Sequence, residues 1–132
     1  MRRLAVGLIL TVLAGCGGAP SATVSRAECV RADAAGVITI SVDRLKFSVP
    51  CMIAPADTAF TIHFTNHQGM PHDVAIYDDA SKVNERFRGD TITGPGATID
   101  YSIEALPAGE YRFECTVHPG DMHGLLFVEP EP

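Results

Sequence analysis

Ile99-Asp100-Tyr101-Ser102-Ile103-Glu104-Ala105-Leu106-Pro107-Ala108-Gly109-Glu110-Tyr111-Arg112-Phe113-Glu114-Cys115 decides the fold class. Apolar residues fall at every second position on both sides of a break: Ile99, Tyr101 and Ile103 before it, Tyr111, Phe113 and Cys115 after it. Side chains of a strand alternate between its two faces, so this period predicts two half-buried strands. Pro107-Ala108-Gly109 is the break, because proline fixes φ and glycine reaches conformations that other residues avoid.

The same period extends in both directions. Ile38, Ile40 and Val42 alternate with Thr39 and Ser41, and Phe60, Ile62 and Phe64 alternate with Thr61, His63 and Thr65. Val74 and Ile76 follow His72 on one face, and Leu125 to Val128 is the last run. Turn signals separate them: Pro50, Pro55-Ala56-Asp57, Asn66 to Gly69, Gly94-Pro95-Gly96 and Pro119-Gly120. Short, regularly spaced strands predict an all-β antiparallel sandwich or barrel. The charged stretch from Asp78 to Arg88 is expected to hold a helical turn anchored by Phe87, with Asp78-Asp79 a solvated turn. Glu129-Pro130-Glu131-Pro132 is expected to be a frayed tail. About 95 residues from Gly36 onward suffice for one small two-sheet core.

The 132 residues carry a formal charge of -6, with 46% hydrophobic and 20% charged residues. That balance argues against disorder, and against nucleic acid, whose phosphates require a basic face. A P-loop and a GxGxxG fingerprint are both absent.

Arg2 and Arg3 precede an apolar run from Leu4 to Ala14, too short to span a bilayer. This reads as a signal peptide over 1–15. Leu13-Ala14-Gly15-Cys16 resembles a bacterial lipobox, which makes Cys16 the lipidated N-terminus. Removing Arg2 and Arg3 takes the charge from -6 to -8. Residues 16–35 are expected to tether the lipid to a domain at 36–132, the stretch after Gly17 being small, polar and without period. The protein is then expected outside the cytoplasm, in the periplasm or at the outer cell surface, anchored to a membrane.

In that compartment disulfides persist. With Cys16 lipidated, Cys29, Cys51 and Cys115 remain, an odd number. Cys29 and Cys51 are the natural pair, worth about 3 kcal/mol by the chain-entropy model; two buried free thiols are the alternative.

Cys115 then needs a chemical explanation. It opens Cys115-Thr116-Val117-His118-Pro119-Gly120-Asp121-Met122, which places a thiolate, an imidazole and a thioether at the end of a strand. Asn66-His67-Gln68-Gly69-Met70-Pro71-His72-Asp73-Val74 supplies a second imidazole from the start of another. Two His, one Cys and a weakly held Met form the ligand set of a blue-copper electron-transfer site. Structural zinc sites use Cys and His without a thioether.

Both segments resemble those of the cupredoxins, most closely the small single-domain bacterial blue copper proteins of the amicyanin and plastocyanin kind. Gly69 to Asp78 looks like their first ligand motif, and Cys115-Thr116-Val117-His118-Pro119 looks like their ligand loop. Pro55-Ala56-Asp57, Gly94-Pro95-Gly96 and Leu106-Pro107-Ala108-Gly109 match their recurrent turns, so that the similarity runs over residues 37–129. It implies a Greek-key β-sandwich and one type 1 copper held by His72, Cys115, His118 and Met122. It also implies His118 as the exposed route for electrons.

Two departures stand out. The relatives usually carry Asn after the first histidine, tying the two ligand loops together; here Asp73 stands there, expected to accept a hydrogen bond from Thr116. The His118-to-Met122 spacing falls between the family's short and long loops, leaving His123 or an open or carbonyl-capped position as axial alternatives to Met122. His63, His67, Met52 and Met70 are expected to be surface or packing residues.

The expectation is therefore a membrane-tethered, monomeric carrier of single electrons between redox partners of unknown identity. Its acidic charge favours basic docking surfaces and weak contacts. A copper buffer, delivery protein or sensor is the alternative. An enzyme is not expected: copper oxidases and nitrite reductases need further copper sites, and a binuclear centre needs a second loop cysteine.

Overall fold

The computed structural model describes residues 23–131. Among them are strands β1 (Val30–Arg31), β2 (Val37–Asp43), β3 (Lys46–Phe47), β4 (Cys51–Pro55), β5 (Phe60–Asn66), β6 (Ala75–Tyr77), β7 (Glu85–Arg88), β8 (Ala97–Ile103), β9 (Gly109–Glu114) and β10 (His123–Glu129). They form a six-stranded sheet in the order β1-β4-β10-β9-β6-β7 and a four-stranded sheet in the order β3-β2-β5-β8. This is a two-sheet all-β sandwich. The chain crosses repeatedly between sheets, so its pairings are mixed: β2 runs parallel to β5 and β10 parallel to β4, whereas β5–β8 and β9–β10 are antiparallel.

The period of two is realised as burial. In β5, Phe60, Ile62 and Phe64 are buried while Thr61, His63 and Thr65 are only partly covered. They pack with Ile38, Ile40, Val42, Tyr101, Ile103 and Phe113 in one core between the sheets. β4 departs from alternation: Met52 and Ala54 face that core, while Cys51 and Ile53 join Phe127 in a second cluster. Val24 and Cys29 pack on this second cluster, so the N-terminal segment covers the outer face of β4 and β10.

Residues 26–35 correct the expected tether boundary. Arg26–Glu28 is a 3-10 turn and β1 pairs with β4. The Cys29–Cys51 disulfide forms as expected and pins the segment across a separation of 22 residues. The Arg26 guanidinium lies 3.9 Å from the Phe127 ring centroid and pairs with Glu129. Glu129 itself ends β10 instead of beginning the tail. The signal peptide, Cys16 and the tether through residue 22 lie outside the described residues.

Residues 78–88 hold no helical turn. The Asp79 carboxylate accepts from the Ser81 amide, an Asx turn that competes with helix, and Asp78 pairs with Arg86. The stretch continues into β7, antiparallel to β6. Phe87 is the anchor expected, edge-on to Tyr101 at 5.5 Å.

Candidate metal centre

The centre is built where β9 ends and where the loop after β5 returns to the sheet. His72 sits in that loop, locked by two backbone bonds with Ile92: its amide donates at 3.0 Å, and its carbonyl accepts at 2.9 Å. Cys115 follows β9, and its amide donates to the Met122 carbonyl at 2.9 Å. Inside this loop the His118 amide donates to the Cys115 carbonyl, and the Asp121 and Met122 amides both donate to the His118 carbonyl. The backbone thus folds back within eight residues, as the sequence spacing required.

The loops bring His72, Cys115 and His118 together. Nδ1 of His72 and Nδ1 of His118 each lie 3.8 Å from Cys115 Sγ. The three donor atoms lie within 4.8 Å of one another. The two imidazole rings are 4.9 Å apart between centroids. His72, Cys115 and Met122 are fully buried, whereas His118 is half-buried. Met122 packs in the same core cluster as Cys115 and Val74, while His123 is exposed at the start of β10.

Burial pushes the His72 imidazole below its usual pKa; neighbouring His118 lowers it further and Asp73 opposes. Burial pushes the Cys115 thiol up, against hydrogen bonds from the backbone at Asp73, His118 and Val117. Without metal the cage therefore favours its neutral forms. Imidazole nitrogen and thiolate sulfur at this spacing, with a buried thioether on the same loop, form a donor set suited to copper.

Asp73 ties the loops as expected. Its Oδ1 accepts from the Thr116 amide at 2.6 Å, and its Oδ2 accepts from the Thr116 hydroxyl and from the Thr91 hydroxyl at 3.5 Å. His63 pairs with Asp100 on the outer face of the four-stranded sheet, and His67 is exposed; neither joins the centre.

A cupredoxin-like domain family model matches residues 7–128. The chain belongs to the cupredoxin-like family. This cupredoxin is 30% identical to amicyanin of Paracoccus versutus over 95 residues, covering 72% of this chain and 67% of that protein. A copper-containing nitrite reductase of Neisseria meningitidis is 33% identical over 78 residues, 53% of this chain but 20% of that enzyme. Among solved structures, reduced auracyanin of Roseiflexus castenholzii superposes with a TM-score of 0.63 at 21% identity, covering 74% of this chain and all of that one. Auracyanin A of Chloroflexus aurantiacus, described as a blue copper protein, gives 0.61 at 20% identity over 70% of this chain and 98% of that one. These two structural likenesses show the fold.

The sequence reading gave no role to three residues. Gln68 Oε1 lies 3.2 Å from His72 Nε2. Buried Asn66 donates to the carbonyls of Met70 and Ile92, fixing the loop that carries His72. Glu114, beside Cys115, is 2% exposed and pairs with Lys82 and Arg112. A polar side chain four positions before a ligand was the available signal for Gln68. Nothing local marked Glu114, whose Lys82 partner comes from the turn between β6 and β7.

Proposed function

We propose that this cupredoxin is an extracytoplasmic electron carrier with one type 1 copper held by His72, Cys115 and His118, and with Met122 as the weak axial donor. The observation that carries the reading is the pair of imidazole nitrogens at 3.8 Å from one buried cysteine sulfur. Copper held there would take up and release single electrons. The chain's part is to keep the donors in place and keep water away. Backbone bonds fix both ligand loops, Asp73 joins them, and burial of His72, Cys115 and Met122 excludes solvent. Such a cage limits rearrangement between oxidation states. Met122 is preferred to His123 because it is buried with Cys115.

His118 is the least buried of the four ligands and the natural exit for electrons. Met70 and Val117, on the two ligand-bearing segments, are 42% and 43% exposed and offer apolar surface for brief docking with redox partners. Burial of the other three ligands counts against a role in handing copper to an acceptor. The nitrite reductase likeness covers a fifth of that enzyme, and its activity is not carried over.

The disulfide supports an oxidising compartment. Lipidation of Cys16 after removal of residues 1–15 would hold the domain at a membrane surface. Voltammetry of the copper-loaded protein tests the proposal. A reversible one-electron couple with rapid electron self-exchange is expected; an irreversible response with loss of copper on reduction would overturn it.

A further inference from the structure

We infer that Gln68, itself held by the backbone amide of Leu45, sets the tautomer and orientation of His72 and is a positioning residue of the metal centre. The Leu45 amide donates to Gln68 Oε1 at 3.0 Å. A backbone N–H can only donate, so the Gln68 atom it meets is the carbonyl oxygen and not the NH2 group. That same oxygen lies 3.2 Å from His72 Nε2. It can only accept, so Nε2 carries the ring hydrogen. A neutral imidazole has one N–H, which leaves the lone pair on Nδ1, the nitrogen facing Cys115 at 3.8 Å. The ring is therefore presented to the cage in one form, dictated by a peptide group 27 positions away in sequence.

The donor comes from an unusual turn. Arg44 and Leu45, which link β2 to β3, have φ of 48° and 55°. Two successive left-handed residues suit a hairpin, but the favoured residues there are Asn and Gly. An Arg-Leu pair keeps this conformation only where its surroundings hold it. The Leu45 side chain packs on the main core, and its amide is held by Gln68. Gln68 is fixed at its other end, because its own amide donates to Asn66 Oδ1 at 2.8 Å. Asn66 in turn donates to the carbonyl of Ile92, the bridge partner of His72. The contact is thus held from both sides, by the turn and by the ligand loop. Such partners orient ligands and tune their basicity.

The inference rests on His72 being a ligand, yet the tautomer can be read without metal. The test is nitrogen NMR of the metal-free full chain at about pH 8, where histidine is ordinarily neutral, for the native protein, Gln68→Glu and Gln68→Met. Native protein and Gln68→Glu, which keeps an acceptor, should show His72 protonated at Nε2 alone. Gln68→Met should spread the proton over both nitrogens and speed exchange of the Leu45 amide by roughly fivefold or more. Its Cu(II) affinity in a chelator competition should fall about 10- to 100-fold, with rescue in Gln68→Glu. If Gln68→Met does not fold, Gln68→Ser, too short to reach His72, takes its place. An unchanged tautomer and Leu45 protection in the variant lacking the acceptor would overturn the inference, as would a Gln68→Glu that behaves like Gln68→Met. If the tautomers change as expected while no form binds copper, the metal-centre reading fails and the positioning of His72 stands.

Discussion

Cys115 and His72 meet as neutral groups in the metal-free fold, and this gives stability a pH dependence of known sign. His72 has its pKa lowered, so the unfolded chain takes up its proton more readily. Its contribution is present above the ordinary histidine value of 6.5 and is lost as pH falls through the folded value. Cys115 has its pKa raised, so its contribution is present below the ordinary thiol value of 9.0 and is lost as pH rises through the folded value. Thermal unfolding in chelator should show these two contributions greatest between those limits, and Cys115→Ala should reduce the alkaline decline, leaving the part due to Tyr77 and Tyr101, whose hydroxyls burial also pushes up. An alkaline arm unchanged in Cys115→Ala contradicts this account. Copper loading must displace the thiol proton, so proton release should accompany binding at neutral pH. Asp73 makes a second prediction. Its carboxylate is 2% exposed and joined to the residue after Cys115. A negative charge there favours the oxidised, more positive site. Asn can still accept from the Thr116 amide and can donate to its hydroxyl, so Asp73→Asn should keep the tie. The reduction potential should rise by tens of millivolts, against about 59 mV for a tenfold change in one-electron preference. An unchanged potential by voltammetry would make the charge a bystander.

Element by element, β10 has its start fixed by a steric need. A Cβ on Gly124 would sit 2.5 Å from the Phe113 ring and 2.6 Å from the Pro50 carbonyl oxygen. The ring has little room in a filled core, and the carbonyl already accepts from the Leu125 amide. Gly124→Ala should therefore destabilise the fold by about 1–3 kcal/mol, measured by denaturant unfolding of the metal-free protein; native-like stability would contradict the close approach. Most strands were legible because each buries one face, as β5 does. Four elements were not. β3 has two residues and β4 is buried on both faces, so neither shows a period of two. β1 has two residues, too few for a period, and is defined by the disulfide and by pairing with β4. β7 reads Glu-Arg-Phe-Arg, with charges that suit a helix as well as an edge strand. Its choice is made by β6, to which it pairs, and by the turn that Asp79 closes.

At the scale of the whole molecule, the four proposed ligands were legible because three lie within eight residues and the fourth lies inside a recognisable segment, Gly69 to Asp78. What surrounds them was not. The Leu45–Gln68 contact spans 23 positions and Asp73–Thr116 spans 43, so their geometry exists only once the sheets are closed. For Asp73 the family resemblance supplied the partner; for Gln68 nothing did. The two-sheet sandwich brings the ligand-bearing segments together and leaves His118 the least buried of the ligands. The central claim is that this assembly makes Cys115 a copper-bound thiolate. The most direct measurement is the optical and electron paramagnetic resonance spectrum of the protein reconstituted with Cu(II), beside Cys115→Ala. The account predicts an intense visible band from thiolate-to-copper charge transfer with a narrow copper hyperfine splitting, both absent in the variant. A weakly coloured Cu(II) with ordinary tetragonal hyperfine splitting in the native protein, or a spectrum that survives Cys115→Ala, would contradict it.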